Sequence, residues 1–334
     1  MDNPLRRDLE HVQAQTRSVW TDLQDARLFV TGGTGFIGCW MLESFAWACD
    51  RMRLDATMTV LTRSPEGFRK KAPHLAAHPS IRLVGGDVRT FSFPEGRFTH
   101  VIQAATDANA QLSSERPAEM FETIVCGTRR VLDFAAAAGA RRLLLLSSGA
   151  VCGAWDPSDP RAVYANGKRE AERLCGEYAR QHGIACPIAR GFAFVGPYLP
   201  LDLHFAIGNF IRDCLERRPI EIRGDGTPLR SYLYAADMAA WLWTILVRGQ
   251  SGVPYDVGSE RAISIGELAE TVARALESPV PVRIAQAPRT GEPAERYVPE
   301  TARARAELGL QECISLEDGI RRTAEWHQGA RSLN

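Results

Sequence analysis

The sequence predicts an α/β fold: a doubly wound parallel sheet with a second, smaller lobe of mixed α/β structure. Three observations predict it. A glycine-rich turn, Thr31-Gly32-Gly33-Thr34-Gly35-Phe36-Ile37-Gly38, joins an apolar strand to a helix near the start of the chain. Short, almost wholly apolar strands then alternate with helical segments as far as Arg190. Such alternation means right-handed crossovers and a sheet covered on both faces. Beyond Arg190 the pattern loosens into turns rich in glycine and proline.

Residues 1–26 precede the alternation. Leu5, Leu9, Val12, Thr16, Val19, Trp20 and Leu23 recur at roughly helical spacing. A helical extension packed on the domain surface is expected, with a dimer contact as the sharper alternative. Residues 27–190 are expected to form the doubly wound domain, which the glycine turn marks as dinucleotide-binding. Leu28-Phe29-Val30 is its first strand, and a helix runs from the glycine turn to about Arg51. Strands follow at Met58–Leu61, Ile81–Val84 and His100–Gln103. A helix around Glu119–Ala138 leads to the strand Arg142–Leu146, which ends in Ser147-Ser148. Gly167–His182 is helical and Ala185–Ala189 is a strand. The smaller lobe takes residues 191–228 and 259–334, while about 229–258 returns to the first domain. Phe205–Glu216, Ile265–Leu276 and Leu316–Trp326 read as helices, and Gly224–Pro228 as a turn. Tyr255–Gly258 reads as a strand rejoining the main sheet. Ligands bind outside the carboxyl ends of such strands, so the cleft between lobes is the default site.

Composition narrows the function. Lys plus Arg and Asp plus Glu number 40 each, so no basic field favours nucleic acid or an anionic membrane. No apolar stretch is long enough to cross a bilayer, and the N-terminus lacks the apolar core of a signal peptide. The eight cysteines include no CxxC pair and no Cys/His cluster at metal spacing. Free thiols, no metal and a cytoplasmic setting are expected.

The glycine turn suits the pyrophosphate of a dinucleotide. Gly32 allows the tight turn, Gly35 lets phosphates approach the backbone, and Gly38 lets helix and strand pack closely. The strand ending in Ser147-Ser148 is followed by Tyr164-Ala165-Asn166-Gly167-Lys168. On a helix this spacing puts tyrosine and lysine one turn apart on the same face. A lysine ammonium there favours the phenolate, so Tyr164 suits acid–base work, with the Ser148 hydroxyl sharing the substrate oxygen. The second strand ends in Thr62-Arg63-Ser64, where an acid would bind ribose hydroxyls. A guanidinium at Arg63 suits a 2′-phosphate and so NADP. If Arg63 only stacks on adenine, NAD stays open.

These pieces resemble the extended short-chain dehydrogenase/reductase family, within it the nucleotide-sugar epimerases and dehydratases. The resemblance runs from about Arg27 to the end of the chain. It rests on TGGTGFIG at Thr31–Gly38, GDV at Gly86–Val88, QAA at Gln103–Ala105, SSGAVCG at Ser147–Gly153 and YANGK at Tyr164–Lys168. VGP at Val195–Pro197, GDGTPLRSYLYAADMA at Gly224–Ala239 and YDVGS at Tyr255–Ser259 continue it. It implies a Rossmann domain, a tightly bound NADP or NAD, a nucleoside-diphosphate sugar as substrate, and a homodimer. Tyr164 would deprotonate the sugar 4-hydroxyl, Lys168 would also hold the cofactor ribose, and Ser148 would bond the reacting oxygen. The turn residues Gly32, Gly35, Phe36, Ile37 and Gly38 would hold the cofactor. So would Arg63, Asp87 with Val88, and Ala104 with Ala105, Asp87 accepting from the adenine amino group. Arg230 would meet the substrate diphosphate, with Arg296 a second candidate, and Ala193 stands where an asparagine often contacts substrate.

The chain also departs from its relatives. Where 4,6-dehydratases carry an Asp-Glu pair after the active hydroxyl residue, this chain has Gly149 and Ala150. Sugar-acid decarboxylases usually keep a glutamate there, whereas 4-epimerases need no acid. Cys152 replaces the usual tyrosine of VYG, and the nearby acids are Asp156 and Asp159. A 4-epimerase working through a 4-keto intermediate is the expected activity. A 4,6-dehydratase, a 4-keto reductase or a non-catalytic dinucleotide sensor are the alternatives.

Overall fold

The computed structural model describes residues 3–106, 115–153, 162–203, 205–288, 291 and 293–331. The chain divides into two compact units. The first holds Leu5–Gly191 and Ala239–Tyr255; the second holds Phe192–Met238 and Asp256–Asn334, with Met1–Pro4.

The first unit is built on strands β1 (Arg27–Thr31), β2 (Thr57–Thr62), β3 (Ile81–Gly85), β4 (His100–Gln103), β5 (Arg142–Ser148) and β6 (Ile188–Gly191). Their order, β6-β5-β4-β1-β2-β3, is extended beyond β6 by a seventh strand, Pro254–Val257. From β3 to β6 every neighbouring pair is parallel, in registers such as Val30 opposite Val60 and Ile102. Chain order reverses between β1 and β4, so the carboxyl ends of these two strands form the switch point where doubly wound sheets bind ligands. The strand predicted at Ala185–Ala189 begins its regular pairing later than expected, at Ile188. Arg142 still bridges Ala185, and Leu145 N–H donates to the Pro187 carbonyl at 3.1 Å. Pro187 has no N–H to return, so the regular ladder starts at Ile188.

Both faces of the sheet are covered. On one, Phe29 of β1 lies among Phe91, Phe98 and Phe134, with ring centroids 4.4–5.8 Å away. The helix Pro117–Ala137 brings Phe134 there, together with Val131 and Leu132. A second cluster joins the N-terminal residues to the returning segment. Trp20 and Trp243 meet at 4.6 Å, Phe45 stacks on Trp243 at 6.3 Å, and Trp243 Nε1 donates to Ser44 Oγ at 2.8 Å. The N-terminal residues form two short helices, Arg6–Gln15 and Arg17–Asp22, broken where Thr16 Oγ1 bonds back to the Val12 carbonyl. Leu9, Val12, Trp20 and Leu23 are buried, and Trp47 of the helix Phe36–Met52 donates to Gln13 Oε1 at 2.9 Å.

The second unit is mixed α/β. Leu229–Arg230 pairs antiparallel with Ile263–Ser264 and parallel with Arg296–Tyr297. Ile220–Ile222 pairs with Val282–Ile284, and Phe194–Val195 with Leu233–Tyr234. The helices Ala206–Leu215, Ile265–Ala275 and Leu316–Arg331 belong to this unit. Ile265–Ala275 starts with a reciprocal capping box between Ser264 and Glu267. All eight cysteines are free thiols. No helix among the described residues is long and apolar enough to cross a membrane.

Candidate active site

The glycine turn sits at the switch point, and its glycines do different work. Gly32 has φ +71°, and a Cβ there would lie 2.5 Å from the Ala104 backbone just beyond β4. It therefore permits both the turn and the approach of the neighbouring strand end. A Cβ on Gly38 would fall 2.3 Å from the Gly32 carbonyl oxygen, so this glycine packs the helix onto the turn. Gly35 is exposed, and its Cβ would meet only that same oxygen, at 3.4 Å. Gly35 is also the N-cap of Phe36–Met52, a helix with no side-chain cap and no acid in its first turn. Its leading amides and positive helix end face an uncrowded approach. Thr31 ties the turn to β4: its hydroxyl donates to Gln103 Oε1 and accepts from Ala105 N–H at 3.2 Å. Phe36 and Ile37 are half-buried in the first turn.

Further along the sheet edge, Asp87 follows β3 and Arg63 follows β2. Arg89 Nε and Nη2 donate to the two Asp87 oxygens at 2.9 and 2.8 Å, and Arg89 N–H adds a bond at 2.8 Å. The Arg89 side chain chiefly holds the Asp87 carboxyl down to about 2, and Arg63 contributes as a nearby charge. Val88 is buried and packs against Gly127, where a Cβ would lie 2.9 Å from its Cγ1. Val88 thus serves the core directly.

The acid–base residues converge at the end of β5. The helix Val163–His182 starts before Tyr164, so Tyr164 and Lys168 lie one turn apart on it. Gly167 lets this helix approach Pro117–Ala137, because a Cβ there would come within 3.1 Å of Ile124. Ser148 accepts from Ala150 N–H at 3.2 Å and is hydrogen-bonded to the Tyr164 phenol. Lys168 is buried, and its Nζ donates to Leu146 O at 2.8 Å and to Thr106 Oγ1 at 2.7 Å. Arg169 holds the loop after Ser148, donating to the carbonyls of Val151 at 2.8–3.0 Å and Gly153 at 2.5 Å.

One electrostatic expectation is corrected. Burial raises the Tyr164 phenol above its ordinary value, and the Ser148 hydroxyl opposes this. Burial outweighs whatever Lys168 gives the phenolate, because Nζ lies 5.8 Å from the ring centre and is engaged by the Leu146 carbonyl and Thr106. Burial also brings Lys168 itself down to about 8.

Ala193, Arg230 and Arg296 belong to the second unit. The Ala193 carbonyl accepts from Leu233 N–H at 3.0 Å. Arg230 and Arg296 lie on adjacent strands, with Arg296 opposite Leu229 and Tyr297 opposite Arg230. Arg230 Nη2 donates to the exposed Glu295 at 2.9 Å, and its guanidinium sits 6.0 Å from the Tyr297 ring centre. Asp156 and Asp159 lie outside the described residues.

The model of the NAD dependent epimerase/dehydratase family matches residues 28–258. The chain belongs to that family. It is an enzyme of the short-chain dehydrogenase/reductase type, and its family is NAD-dependent. This family member is 29% identical to UDP-glucuronic acid decarboxylase 6 of Arabidopsis thaliana over 307 residues, 88% of this chain and 86% of that one. DesIV of Streptomyces venezuelae, a dTDP-glucose 4,6-dehydratase solved with NAD and TYD, superposes with a TM-score of 0.79 at 26% identity, covering 92% and 98% of the two chains. The fold is also that of Bordetella bronchiseptica WbmF, solved with NADH, at a TM-score of 0.80 and 20% identity over 94% and 95%.

The epimerase/dehydratase residues fit a dinucleotide. The open side of Gly35 and the uncapped helix start suit a pyrophosphate. Thr106, Arg89, Arg169 and Glu172 were not singled out from the sequence. Only Glu172 had a readable signal, since it stands four residues after Lys168 on the predicted helix.

Proposed function

We propose that the protein is an NADP-preferring nucleotide-sugar 4-epimerase. One observation carries this reading: Ser148, Tyr164 and Lys168 are assembled as a proton-transfer group, while the positions after Ser148 are Gly149 and Ala150. Tyr164 takes the proton of the sugar 4-hydroxyl, and Ser148 holds that oxygen as it becomes a ketone. Lys168 positions the cofactor ribose. When bound, the nicotinamide supplies a reversible hydride acceptor. Reduction of the 4-ketone on its other face, with Tyr164 returning the proton, completes an epimerisation that needs no further acid.

The cofactor is held by the turn Gly32–Gly38, by Ala104 and Ala105, and by Asp87 with Val88 behind it. Arg63, exposed at the end of β2, supports NADP because a guanidinium pairs with a 2′-phosphate. In the second unit Arg230 grips the substrate diphosphate, its planar donors forking two oxygens. Arg296 is the weaker candidate: it lies opposite Leu229 on the adjacent strand, so its side chain leaves the other face of this small sheet from Arg230.

The likeness to UDP-glucuronic acid decarboxylases favours a second reading. Oxidation at C4 of a uronic acid gives a β-keto acid, which loses carbon dioxide without a new acid residue. A panel of nucleotide sugars and sugar acids, followed by mass and configuration, separates these outcomes. Unchanged mass with inverted C4 means epimerase, loss of carbon dioxide decarboxylase, loss of water dehydratase, and gain of two hydrogens by a keto sugar reductase. Any of the last three as the sole activity overturns the epimerase reading.

A further inference from the structure

A charged cluster lies beside Lys168 that the chemistry above does not use. Glu172 follows Lys168 by four residues on the same helix, so the two side chains share a face. Its carboxylate is fixed from two strands. Arg190 of β6 donates to it from Nε at 2.9 Å and from Nη2 at 2.7 Å, and Ser147 of β5 donates at 2.5 Å. The pair is largely shielded, with side chains 23% and 13% exposed for Arg190 and Glu172. The neighbouring serines of β5 thus divide the labour: Ser148 turns to Tyr164, and Ser147 to Glu172.

We propose that Glu172 is the positioning residue of Lys168, a shielded carboxylate that keeps the lysine ammonium charged and in place against Thr106 and the Leu146 carbonyl. An ammonium removed from water needs a compensating charge. The groups around Lys168 leave Glu172 that task. Its own helix offers Tyr164, whose phenol is held neutral, and Cys175, whose thiol is raised well above its ordinary value beside Cys186. Strand β5 offers Ser147 and a carbonyl, Thr106 a hydroxyl, and β6 the cation of Arg190. Burial lowers Lys168 to about 8, and Glu172 is the main charge acting in the opposite direction. The arrangement is cation, anion, cation. Removing the anion leaves the buried ammonium without its main opposite charge; removing Arg190 leaves the lysine with a carboxylate no longer engaged by a guanidinium.

This inference rests on Lys168 being the lysine that serves Tyr164 and the cofactor, and its test uses a separate readout. The lysine Nζ signals of the purified full chain are titrated by NMR without substrate, with Lys168→Met assigning the resonance. Glu172→Gln should lower the Lys168 midpoint by about one unit or more, the scale of losing a close opposite charge. Arg190→Gln should raise it. Both variants break the same ion pair and should lower the melting temperature, so a purely structural clamp predicts no such divergence. At pH 8 cofactor affinity should fall in Glu172→Gln relative to Arg190→Gln. If Glu172→Gln does not fold, Glu172→Gln/Arg190→Gln removes both charges, and its Lys168 midpoint should lie below that of Arg190→Gln alone. Midpoints that stay together across these variants overturn the proposal. The titration involves no sugar, so failure of the epimerase reading in the substrate panel leaves its result intact.

Discussion

Replacing Gly35 by valine should abolish cofactor binding while leaving the fold in place. The structure sets both magnitudes. A Cβ at Gly35 meets only the Gly32 carbonyl oxygen, at 3.4 Å, an ordinary contact. The backbone there, φ −79° and ψ −176°, is extended and open to any residue. The cost to folding is the poorer N-cap, about 1 kcal/mol, or a few degrees in melting temperature at most. Binding is different, because the new side chain stands over the uncapped first turn. A pyrophosphate taking two amides there as charge-assisted donors, at about 1.5–3 kcal/mol each, would lose about 3–6 kcal/mol, roughly a 150- to 20,000-fold weakening. Gly38→Ala supplies the contrast. Its Cβ would lie 2.3 Å from the Gly32 oxygen and 2.4 Å from Gly33 Cα, so the turn itself must move. The assay pairs cofactor titration by calorimetry with a melting curve. Gly35→Val should melt near wild type and bind poorly, whereas Gly38→Ala should melt early. A Gly35→Val protein that keeps wild-type cofactor affinity refutes the placement of the pyrophosphate.

Tyr164→Phe keeps the ring and removes the transferable proton, so turnover should fall about 100- to 10,000-fold with cofactor still bound; an unimpaired variant rules Tyr164 out as the acid–base group. Arg63→Ala should weaken NADP binding by about 1.5–3 kcal/mol and NAD binding far less; a wild-type protein that binds NAD more tightly refutes the NADP preference. Burial, with Arg141 and Arg142 nearby, depresses His100 from its ordinary value of 6.5 to about 4. The unfolded chain therefore binds a proton that the folded chain refuses, and stability should be lost as pH falls from about 6.5 to about 4, on the order of 3 kcal/mol in total. His100→Gln should show a shallower decline of melting temperature across that window; equal slopes would discard the linkage.

The main sheet was legible because its strands are apolar runs punctuated by turns and its long helices show their period, whereas the two short helices between β2 and β3, Pro65–Lys71 and Pro73–Ala76, are too brief to do so. Helix starts were less legible. Val163–His182 begins at Val163 with no side-chain cap at Ala162, so nothing in the residues marks its first turn. The N-terminal break at Thr16 was hidden for a similar reason. Helical spacing continues through it, and the interruption comes from one hydroxyl bonding back to Val12. In the candidate site, residues carried by contiguous motifs were readable, while their partners were not. Thr106 reaches Lys168 from beyond β4, and Arg190 reaches Glu172 from β6, so tertiary pairing alone brings them together. The electrostatics were least readable. The Tyr-Lys spacing suggests a lowered phenol, but burial outweighs that effect, and burial is a property of the folded whole.

The tryptophan contact between the N-terminal helices and the returning segment bears on how the chain is made. During synthesis, residues 1–191 leave the ribosome before Trp243 exists. Until it arrives, Trp20 and Phe45 lack the indole that they pack against in the finished protein, and β6 is an open edge awaiting Pro254–Val257. An uncovered aromatic surface beside an unpaired strand is a hazard for aggregation. The intervening 192–238 segment must therefore be translated before the first unit can close. A chain interrupted anywhere short of that segment's return is not a smaller version of the protein but a sticky, incomplete one.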